Sequence, residues 1–266
     1  MRNLLSIIVV ACVLSSCSQF QKAMKSEDIA FKFKTGDSLY KLGKFEKANR
    51  LFAQVVPKYK GKPQAEKLMY LYSKSFFEMK DYYVSGYQFE RFVSSYPRSE
   101  KKEEASFLSA KSYYMLSPIY SKDQTETKEA IEKLQEFLNV FPESQYASEA
   151  NTLIKELDYK LEKKAFEIAK QYNHISDFQA SIKSFDNFIY GFPGSSLRES
   201  ALFYRFDSAY KLAINSVEYK KKARLEQAKE YYTTFKQAYS NSEFVETADV
   251  MATELDKELE TYSAKS

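Results

Sequence analysis

The sequence predicts an all-α fold in which five helical hairpins are stacked in chain order and closed by one C-terminal helix. Only six glycines and six prolines occur among 266 residues, which favours helices over a turn-rich β architecture. The phrase FVSSYPRS at residues 92–99 returns as FLNVFPES at 137–144 and as FIYGFPGS at 188–195. A small residue followed four positions later by a large one also recurs five times: Ala48 with Phe52, Ser85 with Phe89, Ala130 with Leu134, Ser181 with Phe185, and Ala228 with Tyr232. Residues four apart share a helix face, so the recurrence indicates repeated helical units.

The first unit shows what each hairpin contains. Residues 36–56, GDSLYKLGKFEKANRLFAQVV, have the G-x-x-L-Y-x-x-G-x-F-x-x-A-x-x-x-F spacing of a tetratricopeptide repeat, which is a pair of antiparallel helices. Gly36 and Ala48 allow the two helices to approach closely, while larger side chains fill the space between them. One hairpin cannot bury its apolar face alone, so we expect the five to stack as a right-handed α-solenoid.

The repeated phrase is interpreted as a stop signal between hairpins. Its aromatic pair ends the second helix, proline blocks continuation, and serine caps the first helix of the next unit. The fifth unit has Ser240 and the first has Lys60 where the others have proline, so we expect weaker stops there. The units are longer than the basic repeat of about 34 residues, and we expect a loop at residues 117–128 to account for part of the excess.

Residues 243–262 carry apolar side chains at helical spacing, which predicts a terminal helix. We interpret this helix as a cap on the stack, and a partner-binding helix is the alternative.

The N-terminal segment MRNLLSIIVVACVLSSC is typical of a secretory signal, because basic Arg2 precedes an apolar run and small residues follow it. That run is shorter than the roughly 20 residues of a membrane-spanning helix. Leu14-Ser15-Ser16-Cys17 resembles the bacterial lipobox, which implies cleavage before Cys17 and a covalent N-acyl and S-diacylglycerol lipid on it. Two or more acyl chains hold a protein on a bilayer. A conventional signal peptide without lipid is the alternative.

These signals predict the domain organisation. We expect a lipoprotein signal peptide at 1–16, a lipidated tether at 17–27 and a repeat domain at 28–266. Within that domain we expect N-terminal repeats at 28–116, C-terminal repeats at 117–242 and the terminal helix at 243–262.

A candidate peptide-binding surface follows from counting positions on the first helices, which line the concave face of such stacks. The positions three before and four after the small residues Gly36, Ser73 and Ala110 are all aromatic: Phe33, Tyr40, Tyr70, Phe77, Phe107 and Tyr114. The position directly after each small residue is charged: Asp37, Lys74 and Lys111. This predicts a groove in which aromatic faces alternate with charges. The alternative is that the aromatics pack between helices and form core.

Several function classes are disfavoured. His174 is the only histidine, which excludes zinc sites with two histidines and disfavours a serine or cysteine triad. We therefore expect no enzyme activity, no metal and no cofactor other than the lipid. Forty basic and 36 acidic residues give a formal charge of only +4 and are spread along the chain, so no nucleic-acid partner is expected.

Three segments carry a family resemblance: PESQY at 142–146, LEKKAFEIAKQY at 161–172 and DFQASIKSFDNFIYGFPGS at 177–195. With the lipobox and five repeats, they resemble the BamD family, also called YfiO, of outer-membrane protein assembly lipoproteins. The resemblance covers nearly the whole mature chain.

The resemblance implies a non-catalytic subunit of the β-barrel assembly (BAM) complex, lipid-anchored at the periplasmic face of the outer membrane. Its partners would be BamA, a barrel protein with periplasmic repeats, and unfolded outer-membrane protein precursors. In the family, N-terminal repeats are associated with substrate recognition and C-terminal repeats with BamA. The alternative is a periplasmic tetratricopeptide scaffold lipoprotein that coordinates envelope constriction or peptidoglycan synthesis.

Overall fold

The computed structural model describes residues 19–263, and over that range it contains twelve helices and no strand. The all-α prediction is confirmed. The helices are α1 at 19–25, α2 Ile29–Lys41, α3 Phe45–Tyr59, α4 Ala65–Glu78, α5 Tyr82–Ser95, α6 Lys102–Leu116, α7 Thr125–Val140, α8 Ala147–His174, α9 Phe178–Gly191, α10 Arg198–Ile214, α11 Glu218–Ala238 and α12 Val245–Ser263. The second helices of the five expected hairpins are α3, α5, α7, α9 and α11, and α12 is the expected terminal helix.

The chain forms two compact units whose boundary differs from the expected one. The first unit runs to Pro118 and resumes from Asp123 to Leu157, and the second contains Ile119–Lys122 and continues from Asp158. The helices α6 and α7 therefore both belong to the first unit, whereas we expected the C-terminal repeats to begin at residue 117. The reason lies in packing, since Phe107 of α6, Phe137 of α7 and Leu157 of α8 share one core cluster.

The small residues of the repeat pattern let helices approach closely. All five small residues are fully buried: Ala48, Ser85, Ala130, Ser181 and Ala228. Four of their five large partners are fully buried as well: Phe52, Phe89, Leu134 and Phe185. Tyr232 is the exception, since it is only partly buried and its hydroxyl donates to Asp249 at 2.8 Å. Gly36 of α2 approaches α3 so closely that a Cβ there would lie 2.7 Å from the Phe52 ring.

The proline stop signals act as predicted. The helices α5, α7 and α9 end directly before an aromatic C-cap residue, Tyr96, Phe141 or Phe192, whose N–H donates to the carbonyl four residues earlier at 2.9 Å. Proline follows each cap. The helix α11 ends in the same way at Tyr239 although no proline follows, so the weaker signal there still stops the helix.

The serine of the repeated phrase has a different position from the predicted N-cap. The hydroxyls of Ser99, Ser144 and Ser195 accept the N–H two residues later at 3.0 to 3.1 Å, and the next helix begins one residue after that. Each hydroxyl also donates to a glutamate on an earlier helix at 2.5 to 2.6 Å: Ser99 to Glu66, Ser144 to Glu103 and Ser195 to Glu162. These serines therefore order the turn and tie it to the preceding hairpin.

Buried polar pairs also join three of the second helices, α3, α5 and α9, to the first helix that follows. Asn49 donates to Ser75 at 2.9 Å, Ser112 donates to Ser85 at 3.1 Å, and the hydroxyls of Ser181 and Ser208 lie 2.8 Å apart. Buried polar groups are stable only when they are paired, so these contacts restrict the register between neighbouring helices.

The expected loop at 117–128 is shorter than predicted. The helix α7 begins at Thr125, so residues 125–128 form its first turn. The Asp123 carboxylate accepts the N–H of Thr125 at 2.9 Å, and the Thr127 hydroxyl donates to the buried Gln124 at 2.8 Å. The prediction was wrong because this turn is polar and the apolar pattern of α7 begins only at Ala130.

The expected tether at 17–27 also needs correction, because residues 19–25 form the helix α1. Phe20 and Ala23 are buried, and Met24 packs against the same core cluster as Leu39 and Phe52. Their spacing of three and four residues is helical, but it is too short a pattern to stand out in sequence. Cys17 and the expected signal peptide lie outside the described residues. None of the helices described here combines the length and apolar character needed to cross a bilayer.

Candidate functional site

Three of the six predicted groove aromatics belong to the core. Phe33, Tyr70 and Phe107 are only 7%, 8% and 2% exposed. Their rings lie against aromatic rings of second helices, with centroid distances of 5.6 Å to Tyr59, 5.7 Å to Phe92 and 5.5 Å to Phe137, respectively. Their faces are covered by protein, as the alternative interpretation expected.

The other three aromatics, Tyr40, Phe77 and Tyr114, are partly buried and retain some exposed ring surface. Tyr40 and Phe77 lie edge-on to the first residue of the next helix, at 5.2 Å from Phe45 and 5.5 Å from Tyr82. In the first two hairpins, the position four after the small residue therefore lies beside the turn between the two helices.

Tyr114 also makes a polar contact. Its hydroxyl donates to Glu156 of α8 at 2.5 Å, and this contact with partial burial raises the Tyr114 pKa to about 12. The phenol therefore stays protonated at neutral pH and remains a hydrogen-bond donor.

The three predicted charged residues form ion pairs between successive first helices, which we call the ion-pair ladder. Asp37 of α2 lies 3.4 Å from Lys67 of α4, besides its contact with Lys41 on its own helix. The remaining rungs join Lys74 of α4 to Glu104 of α6 at 3.0 Å and Lys111 of α6 to Glu149 of α8 at 2.6 Å. The sequence pattern predicts one member of each pair, and it does not point to the partners Lys67, Glu104 and Glu149.

Glu104 is the most highly connected group of the ladder. It accepts hydrogen bonds from Lys74 at 3.0 Å and from Lys101 at 2.9 Å, and it also interacts with the Tyr70 hydroxyl. Burial acts to raise the pKa of this carboxyl, but the three hydrogen bonds outweigh burial and lower the pKa to about 2. The same surroundings, burial first and then Glu104, raise the pKa of Tyr70. At neutral pH the site is a carboxylate held by two ammonium groups and a phenol.

The three lysines of the ladder and the neighbouring Lys101 lie beside the buried rings. Lys67 is 5.8 Å from the centroid of Phe33, Lys74 and Lys101 are each 5.5 Å from that of Tyr70, and Lys111 is 5.7 Å from that of Phe107. Such contacts contribute about 0.5 to 1 kcal/mol each at exposed sites. Aromatic and charged groups do alternate on this surface, and the charges are already satisfied within the protein.

The second unit repeats part of this construction on α10 and α12. The Tyr210 hydroxyl donates to Glu254 at 2.6 Å, as Tyr114 does to Glu156, and Phe203 stacks on Phe244 as Phe107 stacks on Tyr146. The charge pattern differs, because the buried carboxylate of Asp207 stands where the first unit has Lys111. Asn173 and Lys211 donate to it at 2.7 Å each.

No cluster of three or more metal-ligating side chains occurs among residues 19–263. His174 is the last residue of α8. The surface of the first helices offers hydrogen-bond donors, paired charges and partly exposed rings.

Comparison with known proteins gives two findings. A sequence model of the YfiO family, described as an outer membrane lipoprotein, matches residues 25–225, which span α2 to α10 and the first part of α11. A curated relative, the outer membrane protein assembly factor BamD of Rickettsia prowazekii (strain Madrid E), is 25% identical over 247 residues, covering 90% of this chain and 92% of the relative. The matched range contains the whole ion-pair ladder and three quarters of the chain, and the chain belongs to the YfiO family of outer membrane lipoproteins.

Proposed function

We propose that this chain is a non-catalytic scaffold subunit of the outer-membrane β-barrel assembly complex. The lipid on Cys17 would hold it at the periplasmic face of the outer membrane, where it binds a BamA-like barrel protein and unfolded outer-membrane protein precursors. The observation that carries the proposal is the match over nearly the full length to a relative named as an outer membrane protein assembly factor.

The chemistry of the first helices supports this role. An unfolded barrel precursor presents unpaired backbone groups and strands rich in aromatic residues at the membrane interfaces. Tyr40, Phe77 and Tyr114 offer partly exposed rings at equivalent positions of α2, α4 and α6. Aromatic pairs contribute about 0.5 to 1.5 kcal/mol each, so several weak contacts would hold a precursor and still release it.

Site-specific crosslinking of a purified precursor tests the binding surface. The triple variant Tyr40→Ala, Phe77→Ala, Tyr114→Ala should lose most precursor crosslinking while its melting temperature remains high enough for a folded protein at the assay temperature. Tyr190→Ala is the matched control, because this tyrosine is 90% exposed on α9 and should crosslink like the parent. A folded triple variant with full crosslinking would exclude these rings as precursor contacts.

Purification from membranes tests the assembly role itself. The lipidated chain should recover a large barrel protein with periplasmic repeats, and its depletion should lower many folded outer-membrane barrels together. Recovery of cell-wall synthases alone, or a change of cell shape before any loss of barrels, would favour the envelope-constriction scaffold instead.

The lipid anchor has its own test. Labelled palmitate should be incorporated into the wild-type chain in a bacterial host and not into Cys17→Ala. Equal labelling of both proteins would show that the lipid is not on Cys17.

A further inference from the structure

A groove of about 460 Å³ lies between α5, α6 and α7 in the first unit, apart from the ion-pair ladder. Tyr83 and Tyr87 of α5 form one wall and are 78% and 55% exposed. They are four residues apart, so their rings lie on the same helix face. Tyr113 and Leu116 of α6 also line the groove. Two large aromatic rings thus face solvent beside a concave, partly apolar surface.

The opposite wall is acidic. Glu126 and Glu129 of α7 line the groove, and neither forms an ion pair or a side-chain hydrogen bond with any residue of the range 19–263. In this they differ from Asp37, Glu104 and Glu149, which are all paired in the ladder.

Two cations near the groove, Lys133 and Arg91, are already engaged. Lys133 pairs with Glu90 at 2.9 Å and lies 5.5 Å from the Tyr113 ring, and the Arg91 guanidinium lies 5.8 Å from the Tyr87 ring. These contacts show that the local rings accept cations at the distances expected for cation–π contacts. Neither Tyr83 nor the two carboxylates have a positively charged partner in the part of the chain that the structure describes.

We propose that this groove binds an arginine side chain from an extended segment of a partner protein. A planar guanidinium can stack on the Tyr83 ring and donate hydrogen bonds to the carboxylates of Glu126 and Glu129, which a compact ammonium does less well. Aliphatic residues beside the arginine would cover Leu116. A phospholipid ammonium fits less well, because its phosphate would be repelled by two unpaired carboxylates. This inference is independent of the proposed role in barrel assembly.

Fluorescence anisotropy with the mature lipidated chain in detergent micelles tests the proposal. The probes are a labelled pentapeptide with one arginine between two leucines and a matched peptide with glutamine in place of arginine. The arginine peptide should bind about tenfold more tightly, a difference that corresponds to about 1.4 kcal/mol.

Two double variants separate the contributions. Glu126→Gln with Glu129→Gln should remove the preference for arginine and leave the glutamine peptide unchanged, whereas Tyr83→Ala with Tyr87→Ala should weaken both peptides. The matched control is Glu246→Gln, an exposed glutamate in the first turn of α12 as Glu126 is in the first turn of α7, and it should bind like the parent. All four positions are exposed or line an open groove, and unchanged thermal melting verifies the fold.

Three results would overturn the proposal. The two peptides could bind with equal affinity, or the arginine peptide could fail to bind at millimolar concentration. In the third, the carboxylate variant would lose binding to phosphatidylethanolamine vesicles but keep the arginine preference, which would assign the groove to a lipid headgroup.

Discussion

Removing the charge of Glu104 tests the most connected point of the ion-pair ladder. The carboxylate joins α4 to α6 through Lys74 and is also held by Lys101 and Tyr70. The variant Glu104→Gln keeps the size of the side chain and removes the negative charge. It should therefore leave two ammonium groups beside the Tyr70 ring without their counter-ion.

The pKa of Glu104 gives the magnitude. The folded protein lowers this pKa from 4.5 to about 2, and one pKa unit corresponds to about 1.4 kcal/mol. Linkage over these roughly 2.5 pKa units then gives an upper bound of about 3.5 kcal/mol at neutral pH. The side chain is 21% exposed, so solvent screening reduces the contribution, and we expect a loss of about 1 to 2 kcal/mol. A carboxyl with a lowered pKa stabilises the fold fully above its unfolded value near 4.5, and this contribution disappears as the pH falls towards 2.

Urea unfolding at several pH values measures both the size and the pH window. The parent should be more stable than Glu104→Gln at pH 7, and the difference should shrink between pH 4.5 and 2. Glu246→Gln, an exposed residue, should match the parent throughout. A Glu104→Gln variant as stable as the parent at pH 7, or a difference that persists unchanged at pH 2.5, would contradict this role of the Glu104 carboxylate.

Two further substitutions test packing. Gly36→Ala should lower the free energy of unfolding by up to about 2 kcal/mol in thermal or urea unfolding. The new Cβ meets the buried Phe52 ring, and such overpacking costs about 1 to 3 kcal/mol, against about 1 kcal/mol gained in helix propensity. Gly191→Ala, whose Cβ would contact nothing within 4 Å, should be neutral or slightly stabilising, and equal behaviour of the two variants would contradict the close approach of α2 and α3. Phe20→Ala should destabilise the fold by about 3 kcal/mol because it removes a buried ring, whereas an unchanged melting curve would mean that α1 is not part of the folded unit.

The sequence predicts those parts of the fold that are determined by residues close to one another in the chain. The pairs Ala48 with Phe52 and Ser85 with Phe89 are four residues apart, and the stops at Tyr96 and Phe141 are each marked by a proline one residue later. Each signal lies within one helical turn, so it can be read without knowing where other helices lie.

The partners of the ladder could not be predicted in this way. Lys67, Glu104 and Glu149 lie 30, 30 and 38 residues from Asp37, Lys74 and Lys111, respectively. Which charged residue comes opposite depends on the register between neighbouring first helices, and that register is restricted by buried pairs such as Ser85 with Ser112.

The aromatic positions illustrate the same limit. Phe33 and Tyr40 are seven residues apart on one stripe of α2, and sequence assigns them the same environment. In the structure Phe33 packs on Tyr59 near the end of α3, whereas Tyr40 meets Phe45 at its beginning. The two helices of the hairpin are antiparallel, so equivalent positions on one helix meet opposite ends of its partner, and only one of the two rings is enclosed.

Salt should affect precursor binding and arginine-peptide binding differently, because the charges at the two surfaces are paired to different extents. The ladder charges are paired internally, so a precursor bound at Tyr40, Phe77 and Tyr114 would gain affinity from ring contacts, which salt does not screen. The groove between α5 and α7 holds the unpaired Glu126 and Glu129, whose attraction for arginine is screened at a Debye length of about 10 Å in 0.1 M salt and about 3 Å in 1 M salt. Raising the salt concentration from 0.1 to 1 M should therefore weaken the arginine peptide severalfold and change precursor binding little. If precursor affinity falls as steeply as peptide affinity, the ion pairs of the ladder must break so that their charges can bind the precursor.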